Sequence, residues 1–264
     1  MRLAVCVEYA GDAFEGWQSQ RHGRTVQDVF EKAVTAIAGH AVRVHCAGRT
    51  DAGVHATAQI VHFDASFKRP LSAWVRGVNS RLPARVTVRW AVEVDESFHA
   101  RFCAQARRYR YVLYNASVRP ALLGGRVGWF HLPLDEARMA RAAASLVGEH
   151  DFSAFRAADC QAASAVKTMH EIRVQRAGAF VVFDFYANAF LHHMVRNLVG
   201  TLVQVGKGAQ PENWVADVLE ARDRSRSGAT FSPDGLYLCG VEYPPNWPLP
   251  NDGRIIAIPS LLSV

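Results

Sequence analysis

The 264-residue sequence predicts an α+β protein made of two tandem split βαβ halves of the RRM-like or ferredoxin-like kind, residues 1–104 and 105–264. Three observations point there. Strand-like and helix-like patterns spell βαββαβ in the first half, and a second series with longer connections follows it. The composition, 50% hydrophobic and 20% charged with no long Pro/Gly/Ser tract, leaves no disordered half. Halves of this kind join edge to edge, so the expectation is one shared antiparallel sheet with helices on one face and a central cleft on the other.

Leu3 to Tyr9 is a β-rich run closed by Gly11. Thr25 then caps a helix in which Val26, Val29, Phe30, Ala33, Val34 and Ile37 recur at helical spacing up to Gly39. Val42 to Cys46 and Thr57 to Phe63 read as strands around a glycine-containing turn. Leu71, Trp74, Val75 and Val78 make a second helical stripe, and Val86 to Val94 a further strand. The second half opens with a strand from Tyr109 to Tyr114. Asp135 caps a helix whose Met139, Ala142, Ala143, Leu146 and Val147 face one way before Gly148. Glu171 to Gln175 and Phe180 to Tyr186 form a hairpin across Ala177-Gly178, Leu191 to Val205 is a helix, Pro211 starts another, and Leu236 to Tyr243 is the closing strand.

Thirty Lys and Arg against 24 Asp and Glu give a formal charge of +6, which favours an anionic partner. Only four of those cations are Lys and 26 are Arg, the group that forks onto phosphate and stacks on bases, although a codon bias toward Arg gives the same excess. The five cysteines are an odd number with at least 40 positions between neighbours, which excludes a disulfide framework and a CxxC metal knuckle. They read as small core residues in a reducing compartment. The first apolar run stops at Glu8 and no other approaches a membrane span, so the expected location is cytoplasmic, with no membrane partner. Walker loop, dinucleotide fingerprint and serine-hydrolase elbow are all missing, and His192-His193 has no metal-ligand spacing around it, so no metal site is expected.

Three segments carry chemistry. Cys46 to His55 holds Gly48 and Gly53 around Arg49-Thr50-Asp51, unusually polar for a short hairpin; glycines allow close approach to a ligand, while a solvated Asx turn explains the same letters. Arg101-Phe102 and Arg107-Arg108-Tyr109-Arg110-Tyr111 interleave guanidinium and aromatic groups, as a base-stacking strand does and as any half-buried strand does. On the helix from Leu191, the residues His193, Arg196, Asn197 and Gly200 lie opposite the apolar stripe and suit a cleft wall.

Gly48-Arg49-Thr50-Asp51-Ala52-Gly53-Val54-His55 resembles the signature of the TruA-type tRNA pseudouridine synthases, and that octapeptide is highly specific. Gly16-Trp17-Gln18-Ser19-Gln20, Thr25-Val26-Gln27, Phe98-His99-Ala100-Arg101-Phe102, Arg108-Tyr109-Arg110-Tyr111 and His192-His193-Met194-Val195-Arg196-Asn197 follow in the family's order across essentially the whole chain. One departure is Tyr9-Ala10-Gly11, where the family usually has Tyr-Asp-Gly.

The resemblance implies isomerisation of uridine to pseudouridine in the anticodon arm of tRNA, at positions thirty-eight to forty, without a cofactor, by a homodimer that grips tRNA across both subunits. It implies Asp51 as the reacting carboxylate, either nucleophile or sugar-proton base, with Arg196 as its partner cation and Tyr109 stacked on the base. It assigns RNA contacts to Arg49, to Arg69, to Phe98, His99, Ala100, Arg101 and Phe102, and to Asp159, Cys160, Gln161, Ala162 and Ala163. Two other readings stay open: a non-catalytic RNA-binding protein on the same scaffold, and a carboxylate-dependent hydrolase of a glycosidic bond, which commonly needs a second acid that the Gly48 to His55 loop lacks.

Overall fold

The computed structural model describes residues 1–250, and the chain divides into two compact units. One comprises Met1–Gln105 and the described residues from Tyr237 onward; the other is Ala106–Leu236. The last strand, placed by the sequence pattern with the second half, therefore gives Tyr237 and its successors to the first unit. Among the described residues no helix is long and apolar enough to cross a membrane.

In the first unit β1 (Arg2–Tyr9) lies between β3 (His55–Asp64) and β4 (Val86–Val94), antiparallel to both. Leu3 stands opposite Phe63 and Ala4 opposite His62, so alternate residues of this apolar strand face opposite sides of the sheet. Both sides are covered. On one, Phe63 meets the ring of Trp74 at 5.5 Å, from a short helix over 71–79 whose middle, Ala73–Gly77, is wound as a π-helix. On the other, Ala4, Cys6 and Ile60 pack with Phe98, Ala100, Trp247 and Leu249. Trp247 sits edge-on to Phe98 at 5.0 Å, and the Tyr243 hydroxyl donates to the Ala100 carbonyl at 2.6 Å. The tail from Pro244 thus closes a sheet face as far as residue 250; residues 251–264 lie outside the described residues.

Helix α1 (Val26–Ala38) begins where the capping signal predicts, with Thr25 and Asp28 forming a reciprocal capping box. The strand expected from Val42 shrinks to β2 (His45–Cys46). Its missing residues bond to helix side chains instead: Val42 N–H donates to Thr35 Oγ1 at 3.2 Å, Val44 N–H to Glu31 Oε1 at 3.0 Å, and the Val44 carbonyl accepts from Gln27 Nε2 at 3.4 Å. Backbone groups satisfied this way have no need of a strand partner.

The second unit is built on β5 (Ala106–Asn115), β9 (Phe180–Ala187), β8 (Val166–Ala177) and β7 (Gly148–Asp151), each antiparallel to the next. A three-residue strand, β6 (Gly128–Phe130), adds in parallel to β5. Asp135 caps α2 (Glu136–Ala143) by accepting from Arg138 N–H at 2.9 Å. Helices α3 (Met194–Gly206) and α4 (Trp214–Ala221) follow, and α3 approaches α2 closely where a Cβ on Gly206 would stand 2.6 Å from Met139 Sδ.

The α+β class holds, but purely antiparallel pairing does not. Besides β6, the strand β10 (Leu236–Glu242) runs parallel to β3, with Tyr237 opposite His55 and Leu238 opposite Ala56. A strand that returns after a long connection is free of the hairpin constraint that forces antiparallel neighbours.

Candidate active site

The signature loop is the connection of the β2–β3 hairpin. His45 and Cys46 pair with His62 and Val61, and Ala47 N–H donates to Ile60 O at 2.8 Å before the chain leaves the ladder. Beyond that point a side chain replaces the missing strand: the fully buried Gln59 accepts from Gly48 N–H at 3.3 Å and donates from Nε2 to Gly48 O at 2.5 Å. Thr50 Oγ1 lies 2.7 Å from Tyr9 Oη, and its carbonyl accepts from Trp17 N–H at 3.0 Å. Val54 N–H closes a turn onto the Asp51 carbonyl at 3.1 Å, and His55 Nδ1 accepts from Gly11 N–H at 2.9 Å. Thr50, Val54 and His55 are buried, Asp51 is half-buried and Arg49 is exposed.

Two glycines outside the loop let it sit this low. A Cβ on Gly11 would stand 1.9 Å from the Val54 carbonyl oxygen, and one on Gly16, at φ +84°, would stand 2.9 Å from the Thr50 carbonyl oxygen. The stretch from Gly16 to Gln27 is thereby a brace. The Gly16 and Trp17 carbonyls accept from Val26 and Gln27 N–H at the start of α1, and Trp17, fully buried, lies 5.7 Å from the Tyr9 ring.

In the second unit Tyr109 lies on β5 opposite Phe185, 9% exposed, with its ring edge-on to Phe190 at 4.9 Å. Tyr111, two residues on, is core: it is fully buried and its hydroxyl donates to the Ser232 carbonyl at 2.8 Å. The arginines flanking Tyr109 are engaged on the unit itself. The Arg108 guanidinium lies 3.7 Å above the Tyr186 ring, and Arg110 forks onto Asp184 at 2.7 and 2.9 Å. Arg196, in the first turn of α3, donates from Nε to the Phe231 carbonyl at 2.8 Å and is half-buried.

The polar stripe on α3 is not a uniform cleft wall. Asn197 is buried, donating to Phe155 O at 2.8 Å and accepting from Thr230 Oγ1 at 2.7 Å, and a Cβ on Gly200 would fall 1.9 Å from Ala229 O. Both serve to seat 228–231 on the helix. The turn before α3 carries His193 at φ 61°, a left-handed conformation that costs a non-glycine residue about 1–2 kcal/mol. His192 Nδ1 meets Asp159 Oδ1 at 2.9 Å, and that hydrogen bond and the imidazole charge hold the Asp159 carboxyl below its usual range.

A family model described as tRNA pseudouridine synthase matches residues 5–103 and 142–244. The chain belongs to the tRNA pseudouridine synthase family. A tRNA pseudouridine synthase A of Aromatoleum aromaticum is 70% identical over 261 residues, 99% of each chain. That of Dechloromonas aromatica is 60% identical over 95% of this chain and 96% of its own, and that of Thiobacillus denitrificans 59% identical over 96% and 98%. The solved structure described as "Crystal Structure of a Cbf5-Nop10-Gar1 Complex" aligns with 89% of this chain and 48% of its own at 12% identity and a TM-score of 0.38, a likeness too low to bear on the fold.

Seen as a member of this synthase family, the chain divides its expected site residues by burial. Phe98 and Ala100 belong to the core, where Ala100 N–H donates to His62 Nδ1 at 3.1 Å. His99 is half-buried, Arg101 is exposed, and Phe102 is 77% exposed with its ring stacked on His99 at 4.2 Å. Arg69 is exposed after β3. Cys160 is buried and accepts from His192 N–H at 3.4 Å, Ala162 is half-buried, and Asp159, Gln161 and Ala163 are exposed. Gln59 and Tyr9, which set the loop, escaped the sequence reading: in HATAQIVHF a Gln looks like one more polar slot of an alternating strand.

Proposed function

We propose that this member of the tRNA pseudouridine synthase family isomerises uridine in the anticodon arm of tRNA, at positions thirty-eight to forty, with Asp51 as the reacting carboxylate. The observation that carries the assignment of Asp51 is the state of its loop: backbone pinned on both sides, Thr50 and Val54 buried, Asp51 left half-buried. A reacting carboxylate needs that placement, because near-attack geometry tolerates little displacement.

The reaction is balanced within the nucleotide. The N1–C1′ bond breaks, the uracil turns, C5 bonds to C1′, and the C5 proton leaves last while N1 gains one. Asp51 either attacks as nucleophile or takes a proton from the sugar. Tyr109 offers a ring for the base, and base–aromatic stacking of about 1–3 kcal/mol holds a detached uracil. Arg196 supplies the cation that the family pattern assigns to the carboxylate. The target uridine first leaves its stack, at a cost of a few kcal/mol.

Product analysis tests this. An unmodified anticodon-arm tRNA transcript, incubated with the protein and digested to nucleosides, should yield pseudouridine and no free uracil. Free uracil would mean glycosidic hydrolysis, and unchanged uridine on a bound transcript would mean an RNA-binding protein without catalysis.

A further inference from the structure

Behind the Asp51 loop lies a buried polar chain. Tyr9 and Gln59 come from the central strands β1 and β3, both buried, and Thr50 is the residue before Asp51. Gln59 Nε2 donates to Gly48 O at 2.5 Å and to Tyr9 Oη at 3.5 Å, and Tyr9 Oη lies 2.7 Å from Thr50 Oγ1, where either hydroxyl can donate. The contacts thus run in series from Gln59 through Tyr9 to Thr50. Burying an amide, a phenol and a hydroxyl is unfavourable unless each is bonded, and apolar groups of the same volume fill such a space at lower cost. What the polar set provides and an apolar set lacks is a fixed register: Gly48 and Thr50, three positions and one position before Asp51, have one arrangement that satisfies all partners.

We infer that Gln59, Tyr9 and Thr50 are positioning residues for Asp51, a buried strut that sets the height and orientation of its loop. The inference rests on the assignment of Asp51 as the reacting group. The strut touches neither substrate nor reacting atoms; it acts through the loop backbone. Removing it leaves the loop in place, since Trp17, Val54 and His55 still hold it, but frees it to shift at Asp51.

The test is a single-turnover measurement on saturating tRNA, with tRNA affinity and thermal melting recorded alongside. Tyr9→Phe and Thr50→Val, each close in shape to the original, should slow turnover roughly 10- to 100-fold, the scale of a misplaced reacting group, with tRNA Kd unchanged. Thr50→Ser, which keeps the oxygen, should restore the rate. The double variant Tyr9→Phe/Thr50→Val should be no slower than the slower single, because both remove one interaction. Gln59→Glu, which keeps the acceptor for Gly48 N–H and loses the donors to both Gly48 O and Tyr9, should give at least the same loss from the far end. Wild-type rates in Tyr9→Phe and Gln59→Glu, beside an inactive Asp51→Asn, would overturn the strut and leave the Asp51 assignment standing. Losses that multiply in the double variant, or that follow tRNA affinity, would overturn it as well. An active Asp51→Asn, with the strut intact, would remove the group being positioned and so bring down the assignment itself.

Discussion

His62 is a buried imidazole of β3 whose Nδ1 accepts from Ala100 N–H, with His99 edge-on at 4.5 Å and His45 stacked at 5.0 Å. Burial first, then the neighbouring His99 and His45 and the Arg2 charge, outweigh Asp64 and push its pKa down to about 3. The unfolded chain binds that proton near the ordinary value of about 6.5, so below that pH the unfolded state takes up protons and the native state does not. Stability is therefore fully present above about pH 6.5 and is lost as pH falls toward 3. Urea midpoints at pH 7.5 and 5.5 should show a steeper acid loss in the native protein than in His62→Gln, whose amide oxygen can still accept from Ala100; equal slopes would contradict this. At the same scale the motif around Asp51 stands out because it is long and specific, whereas His62 carries no signal of its own in the sequence. Its neighbour Phe98, edge-on at 6.1 Å, lies 36 positions away, and no local pattern connects the two.

The elements legible in the sequence were those whose ends carry their own chemistry. Thr25 and Asp135 cap their helices as predicted, and Val86–Val94 is a strand from end to end. The pattern fails where partners lie outside the segment. Val42 to Val44 looks like a strand but is bonded by α1 side chains; β7, with the polar sequence GEHD, is a strand only because β8 lies beside it. In the same way β6 needs Gly128, where a Cβ would stand 2.2 Å from the Tyr111 hydroxyl. The tail is the clearest instance. Pro-rich and without periodicity, it covers Phe98 through Trp247, so Trp247→Ala should lower unfolding stability by about 2 kcal/mol, below the 3–5 typical of a fully buried Trp because this one is only half-buried. Trp247→Phe should recover most of that loss in denaturant midpoint. An Ala variant as stable as the parent would show that the tail merely rests on the sheet face.

At the scale of the whole molecule the chain is an α+β member of the tRNA pseudouridine synthase family whose relatives align over nearly their full lengths. The repeated strand–helix series reads as two halves. The parallel return of β10 to β3 does not show there, since a sequence read from left to right pairs each strand with its neighbours. The proposed role of Asp51 in uridine isomerisation is open to direct test. Its most direct measurement is tritium release to solvent from anticodon-arm tRNA labelled at uridine C5, with the native protein and Asp51→Asn side by side. Release by the native protein alone, without free uracil, is the predicted result; equal release by Asp51→Asn, or none from a tRNA that the native protein binds, would contradict it.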